Sequence, residues 1–120
     1  MVTMKQDSRQ DSFKKAIFAL NDDTRVLILA FLARHEELCV CEIERALGLG
    51  HSRLSRHLKI LNEGGFVEVR REGTWGHYRV RREITPLCAR LLDELIALKL
   101  TLPPFEGSAG SEKISSAKQC

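Results

Sequence analysis

The sequence predicts a mainly α domain with one small β-hairpin, a winged helix-turn-helix of order α-α-α-α-β-β-α. Three observations predict it. A short helix, a glycine-bearing turn and a second helix with a basic outer face follow one another up to Glu63, which is a helix-turn-helix pattern. Two strand-like segments, "FVEVRR" and "WGHYRV", then flank "EGT", which reads as a hairpin. Positive charge is concentrated in the same region. From His51 to Arg82, eight Arg/Lys stand against Glu63, Glu68 and Glu72, a local net of +5 in a chain whose total is +3. A patch of that kind is the footprint expected of a nucleic-acid surface.

Each element has its own signal. Phe13, Ala16, Ile17 and Leu20 recur at helical spacing and give an amphipathic first helix. "NDDTR" breaks and restarts the chain, with Asp22 a good N-cap and Asp23 suited to the positive helix end. "VLILAFLA" is apolar almost all round, as in a helix at the buried centre of a small domain. A short helix ends at Gly48 with Ile43, Ala46 and Leu47 inward, and Gly48 and Gly50 supply the turn. "HSRLSRHLKILNE" turns Leu54, Leu58 and Leu61 inward and stops at Gly64-Gly65. The last helix starts at Thr85 and Pro86 and carries a broad apolar stripe, Ile84, Leu87, Cys88, Leu91, Leu92, Leu95 and Leu98, which suggests a partner subunit. Residues 1–102 thus form the domain, and 103–120, rich in Pro, Gly, Ser and Lys, are expected to be a disordered tail.

At 120 residues the chain holds one domain. It shows no apolar leader and no run long enough to cross a bilayer, so a cytoplasmic protein is expected, with no membrane partner. Thiols stay reduced there, so Cys39, Cys41, Cys88 and Cys120 point to metal, redox or packing roles. No phosphate loop or catalytic triad is present, and no enzyme is expected.

A helix in the major groove reads base edges from its N-terminal residues, while basic side chains grip phosphates. The candidates for reading are His51, Ser52, Arg53, Ser55 and Arg56, with His57 and Lys59 beside them and Arg70, Arg71 and Arg79 on the wing. Arg is the commonest reader of guanine. The plainer alternative for His57 is capping or packing, and His35 and His77 receive no role.

The stretches "ALNDDTRVLILAFL", "ELCVCEIERALGLG" and "LSRHLKILNEGGFVEVRREGTWGHYRV" occur in order. On them the chain resembles the arsenic-repressor family of winged-helix metalloregulators over roughly residues 13 to 98. The resemblance implies a homodimeric repressor of double-stranded operator DNA whose first and last helices build the dimer interface. It also implies release of DNA on binding a metal or metalloid, with no obligatory cofactor.

Cys39 and Cys41 are the candidate inducer ligands. On a regular helix they lie about 200° apart. Two thiolates sharing one small ion need sulfurs roughly 3.5–3.8 Å apart, from bonds near 2.3 Å. A regular helix cannot supply that, so binding is expected to unwind the helix start that leads into the reading helix. Thiolates are soft donors, suited to trivalent arsenic or antimony. Simple core packing is the plainer reading of the pair. The family's arsenic sensors carry "ELCVC" here, but the third cysteine of their best-known pattern falls on Glu44. A third ligand is then open between Cys120, Cys88 and a non-protein group, and a methylated arsenical would suit a two-thiol site. Packing is the plainer role for Cys88. The last helix has Asp93 and Glu94 but no histidine, against the family's zinc site there. Two other readings stand beside this one: a thiol-redox switch on the same DNA-binding fold, and a thiol oxidoreductase, disfavoured because C-x-C is not C-x-x-C on a βαβ unit.

Overall fold

The computed structural model describes residues 7–104. The expectations for Cys120 and for most of the tail, 105–120, lie outside the described residues. Helix α1 (Ser8–Leu20) starts at Asp7, whose side chain accepts the Arg9 N–H, and α2 (Asp23–Arg34) at Asp22, which accepts the Arg25 N–H. Each cap satisfies a backbone donor that the helix itself leaves open. Ile28, Leu29, Phe31 and Leu32 of α2 are fully buried, so this helix is the centre of the core, as its all-round apolarity predicts.

A two-residue strand, β1 (Leu38–Cys39), precedes α3 (Val40–Leu47) and was not expected. Gly48 ends α3 in the left-handed region at φ +68, where its N–H bonds the Glu44 carbonyl. Helix α4 (His51–Glu63) follows and buries Leu54, Leu58 and Leu61. Strands β2 (Val67–Glu72) and β3 (Trp75–Val80) form the hairpin, and β1 adds to its far side to give the antiparallel order β1-β3-β2. Leu38 pairs with Tyr78, and Cys39 with His77.

Gly64 closes α4 with ordinary right-handed angles, so its small size matters for proximity. A Cβ there would lie 2.7 Å from Ala19 Cβ and 3.0 Å from the Lys15 carbonyl oxygen. The close approach lets the end of α4 dock on α1. Helix α5 (Pro86–Ala97) is capped by Thr85, whose hydroxyl accepts the Cys88 N–H at 3.3 Å. Its stripe divides: Cys88 and Leu95 face the core, while Ile96, and Leu98 just beyond the helix, are exposed. Phe13, Ile17 and Phe18 of α1 are exposed as well. No helix among the described residues is long and apolar enough to cross a membrane.

Candidate nucleic-acid interface and dithiol site

Burying Leu54, Leu58 and Leu61 fixes which side of α4 is turned outward. His51, Ser52, Arg53, Ser55, Arg56 and Lys59 are all exposed on that side. His51, the first helical residue, is held from behind: its Nδ1 lies 2.7 Å from Glu44 Oε2 of α3, and its Nε2 lies 3.5 Å from Ser55 Oγ. The start of the reading helix is therefore tied to the helix that carries Cys41.

His57 sits differently. It is half-buried, with Nδ1 3.3 Å from Arg25 Nη1. Burial pushes its pKa below the ordinary imidazole value, against the pull of Asp22. Arginine can only donate, so Nδ1 accepts in this contact and that nitrogen serves the interior rather than DNA.

Sequence reasoning missed Arg25 itself. Buried at 6% exposure, it donates to the carbonyls of Ala19 (2.8 Å) and Phe18 (3.1 Å), and its guanidinium lies 5.0 Å from the Phe18 ring centre. It binds the α1–α2 corner to the reading helix.

The wing arginines are not uniformly open. Arg70 is gripped by both carboxylate oxygens of Glu37, at 3.0 and 3.1 Å, and reaches Glu72 at 3.3 Å. The Arg70 bond holds the Glu37 carboxyl below the usual carboxylate range. Arg79 pairs with Glu68 at 2.6 Å across the hairpin, and Arg71 stands exposed near the turn. The pair is solvent-exposed and screened, so Arg70 can exchange its carboxylate for a phosphate at little cost.

The sulfurs overturn one expectation. Cys39 Sγ and Cys41 Sγ already lie 3.5 Å apart, in non-bonded contact. The 200° separation does not apply because Cys39 is outside the helix. It is the N-cap of α3, extended at φ −75 and ψ 152, and belongs to β1. Glu42 holds it there, its Oε1 accepting the Cys39 N–H at 2.8 Å in the manner of a capping box. No unwinding is needed to bring the two sulfurs together.

Cys39 is 2% exposed, and burial pushes its thiol up from the ordinary value. The backbone N–H groups of Cys41 and Glu42 oppose that shift, and the charges of Glu42 and Glu44 add to it. Cys41 is half-buried and opens on a cleft of about 390 Å3 between α3, the start of α4 and the wing, lined also by Val40, Glu44, His51, Ser55, Trp75 and Tyr78.

The fit to a soft ion is good on donor chemistry and on spacing. Sulfurs 3.5 Å apart subtend about 100° at an ion bonded at ~2.3 Å, a pyramidal angle. No group of three or more His, Cys, Asp or Glu able to hold a metal occurs among the described residues. Cys88 lies elsewhere, buried with its S–H donating to the Gly64 carbonyl at 3.4 Å, a packing position under the α4–β2 corner.

Residues 22–69 match the family model for bacterial regulatory proteins of the arsR family. An arsenic resistance transcriptional regulator of Pseudomonas putida is 46% identical over 65 residues, 54% of this chain. The chain spans about half, 51%, of that relative's length. An uncharacterized helix-turn-helix-type transcriptional regulator of Methanocaldococcus jannaschii is 39% identical over 64% of this chain and 86% of its own. Among solved structures, a homodimeric winged helix-turn-helix DNA-binding domain from Mycobacterium bovis superposes with a TM-score of 0.64. It is 31% identical and covers 82% of this chain and 90% of that one.

Proposed function

The chain belongs to the arsR family of bacterial regulatory proteins, and from that premise we propose that it is a homodimeric transcriptional repressor that releases operator DNA when trivalent arsenic or antimony bonds to Cys39 and Cys41. The observation that carries the sensing half is the 3.5 Å sulfur pair at the β1–α3 junction. That junction touches both halves of the DNA-facing surface. Cys39 pairs in register with His77 of the wing, and Glu44 of α3 holds His51 of the reading helix.

The exposed face of α4 supplies the reading residues, with Arg53 and Arg56 the strongest candidates for base edges and Lys59 for phosphate. His51, Ser52 and Ser55 add hydrogen-bonding groups at its N-terminus, Arg70, Arg71 and Arg79 flank it on the wing, and His57 supports it from the interior. The exposed apolar groups of α1 and α5, Phe13, Ile17, Phe18, Ile96 and Leu98, form the surface a second copy would cover. A two-fold dimer then presents two reading helices to two half-sites. The protein acts on cytoplasmic DNA and needs no obligatory cofactor.

The proposed chemistry is a condensation with the reduced form of the pair. Arsenous acid condenses with two thiols by forming two As–S bonds and breaking two As–O bonds. Each thiol proton leaves with a hydroxide as water, so no net proton is released and nothing is oxidised. The role of the Pseudomonas relative in arsenic resistance points the same way.

The test is a titration of arsenite into the complex of wild-type protein with promoter DNA, followed by fluorescence anisotropy. Dissociation near one arsenic per chain is expected. DNA that stays bound at saturating arsenite contradicts the proposal.

A further inference from the structure

A buried charge is costly unless its donors find acceptors, and Arg25 is buried with every guanidinium nitrogen engaged. Nε donates to the Ala19 carbonyl at 2.8 Å, Nη2 to the Phe18 carbonyl at 3.1 Å, and Nη1 to His57 Nδ1 at 3.3 Å. The first two contacts fix the guanidinium to the end of α1, and the third reaches across to α4. A neutral imidazole carries one N–H, and the nitrogen that faces an arginine is the bare one, so the proton sits on Nε2. Burial holds the ring's pKa down, with the charges of Arg25, Arg53 and Arg56 in support and Asp22 opposed. Among the described residues Nε2 meets no partner, and no buried side-chain nitrogen or oxygen there lacks one, so Nε2 reaches the surface. His57 stands one turn after Arg53 and next to Arg56, at the edge of the exposed face of α4.

Resting on the assignment of α4 as the reading helix, we propose that His57 donates its Nε2–H to a phosphate of the bound DNA, and that Arg25 is the positioning residue that sets the tautomer and direction of the ring. A phosphate oxygen only accepts, so a bare Nε2 would be left facing it, whereas Nε2–H completes the contact. His57 is the seventh residue of α4, past the N-terminal positions that meet base edges. A contact from there falls on the backbone, where it fixes orientation and carries no sequence preference. The donor is also neutral. It releases no condensed counterion, unlike the arginines and the lysine of the same helix.

The test needs no arsenite. Wild type, His57→Asn, Arg25→Lys and the double variant are titrated with labelled promoter DNA and with a scrambled duplex at several salt concentrations. The asparagine amide can still accept from Arg25 but is too short to reach the phosphate. His57→Asn is expected to weaken both duplexes alike, about two- to tenfold, with the salt slope unchanged. Wild-type affinity in that variant, or a slope lowered by about one, overturns the neutral donor. Arg25→Lys should weaken binding in the wild-type background and add nothing to His57→Asn. An equal loss in both backgrounds, or none in either, overturns the positioning role. Nitrogen-15 NMR of the wild-type ring decides the same point should Arg25→Lys fail to fold: Nδ1 bare and Nε2 protonated is expected, and a proton on Nδ1 contradicts it. Alanine at Arg53 and Arg56 separates the two claims. If it leaves affinity intact, the assignment of α4 fails. If it weakens binding while His57→Asn does not, the His57 proposal alone fails.

Discussion

Serine at Cys39 or at Cys41 is expected to leave DNA affinity at the wild-type level and to abolish its response to arsenite. Couplings between an effector site and a binding site typically amount to about 5–150-fold in affinity. That is the factor by which arsenite should weaken DNA binding in wild type, and in either variant it should fall to one. The two residues act as a unit, because one sulfur cannot chelate and an alkoxide is a poor donor to a soft ion. The positions differ in what else they do. Cys39 caps α3 and is buried in the core, whereas Cys41 lies in the first turn and faces the cleft. A serine hydroxyl fits both, and at position 39 it is a better N-cap than a thiol, so the fold should hold. Anisotropy titrations of labelled promoter DNA with and without arsenite measure both properties together. Full release of the Cys41→Ser variant at wild-type arsenite concentrations would remove the sulfur pair from the mechanism.

Alanine at Arg53 and Arg56 should produce the largest loss of DNA affinity. Both are exposed near the start of α4. A guanidinium bidentate to guanine contributes about 1–3 kcal/mol of discrimination, or about 5- to 150-fold for each residue. The two roles an arginine can play are separable. Loss of a base reader flattens the preference among sequences, while loss of a phosphate contact weakens all sequences alike and lowers the salt slope by about one. Neither side chain supports the core, so each substitution should change stability by no more than ~0.5 kcal/mol. Wild-type affinity in the double variant, measured at two salt concentrations, would move the reading surface off this helix.

Much of the architecture was legible because it is written in local pattern. The helix termini follow from Asp22, Gly48, Thr85 and Pro86, and the hairpin follows from strand-like runs around Gly73. What was not legible is non-local or very short. Strand β1 is two residues long and exists by pairing with β3, so no periodicity announces it. Cysteine is not among the preferred N-cap residues, so a helical count ran through Cys39 and placed the sulfurs on opposite sides. Their contact depends on Glu42 reaching back to the cap.

The same limit applies to charge. Arg70 and Glu37 are 33 residues apart, and Arg25 and His57 are 32 apart. Sequence could count those charges but not pair them. The exposed face of α4 was recoverable, since three buried leucines fix it. The state of each wing arginine and the inward nitrogen of His57 were not.

Which atoms surround the arsenic decides whether Cys39 and Cys41 form the inducer site. X-ray absorption at the arsenic edge, on wild-type protein loaded with one arsenite per chain, counts them directly. Two sulfur neighbours and one oxygen are expected, falling to at most one sulfur in the Cys39→Ser variant. Three sulfurs, or a sulfur count unchanged by that substitution, would contradict a site made of Cys39, Cys41 and a retained hydroxyl.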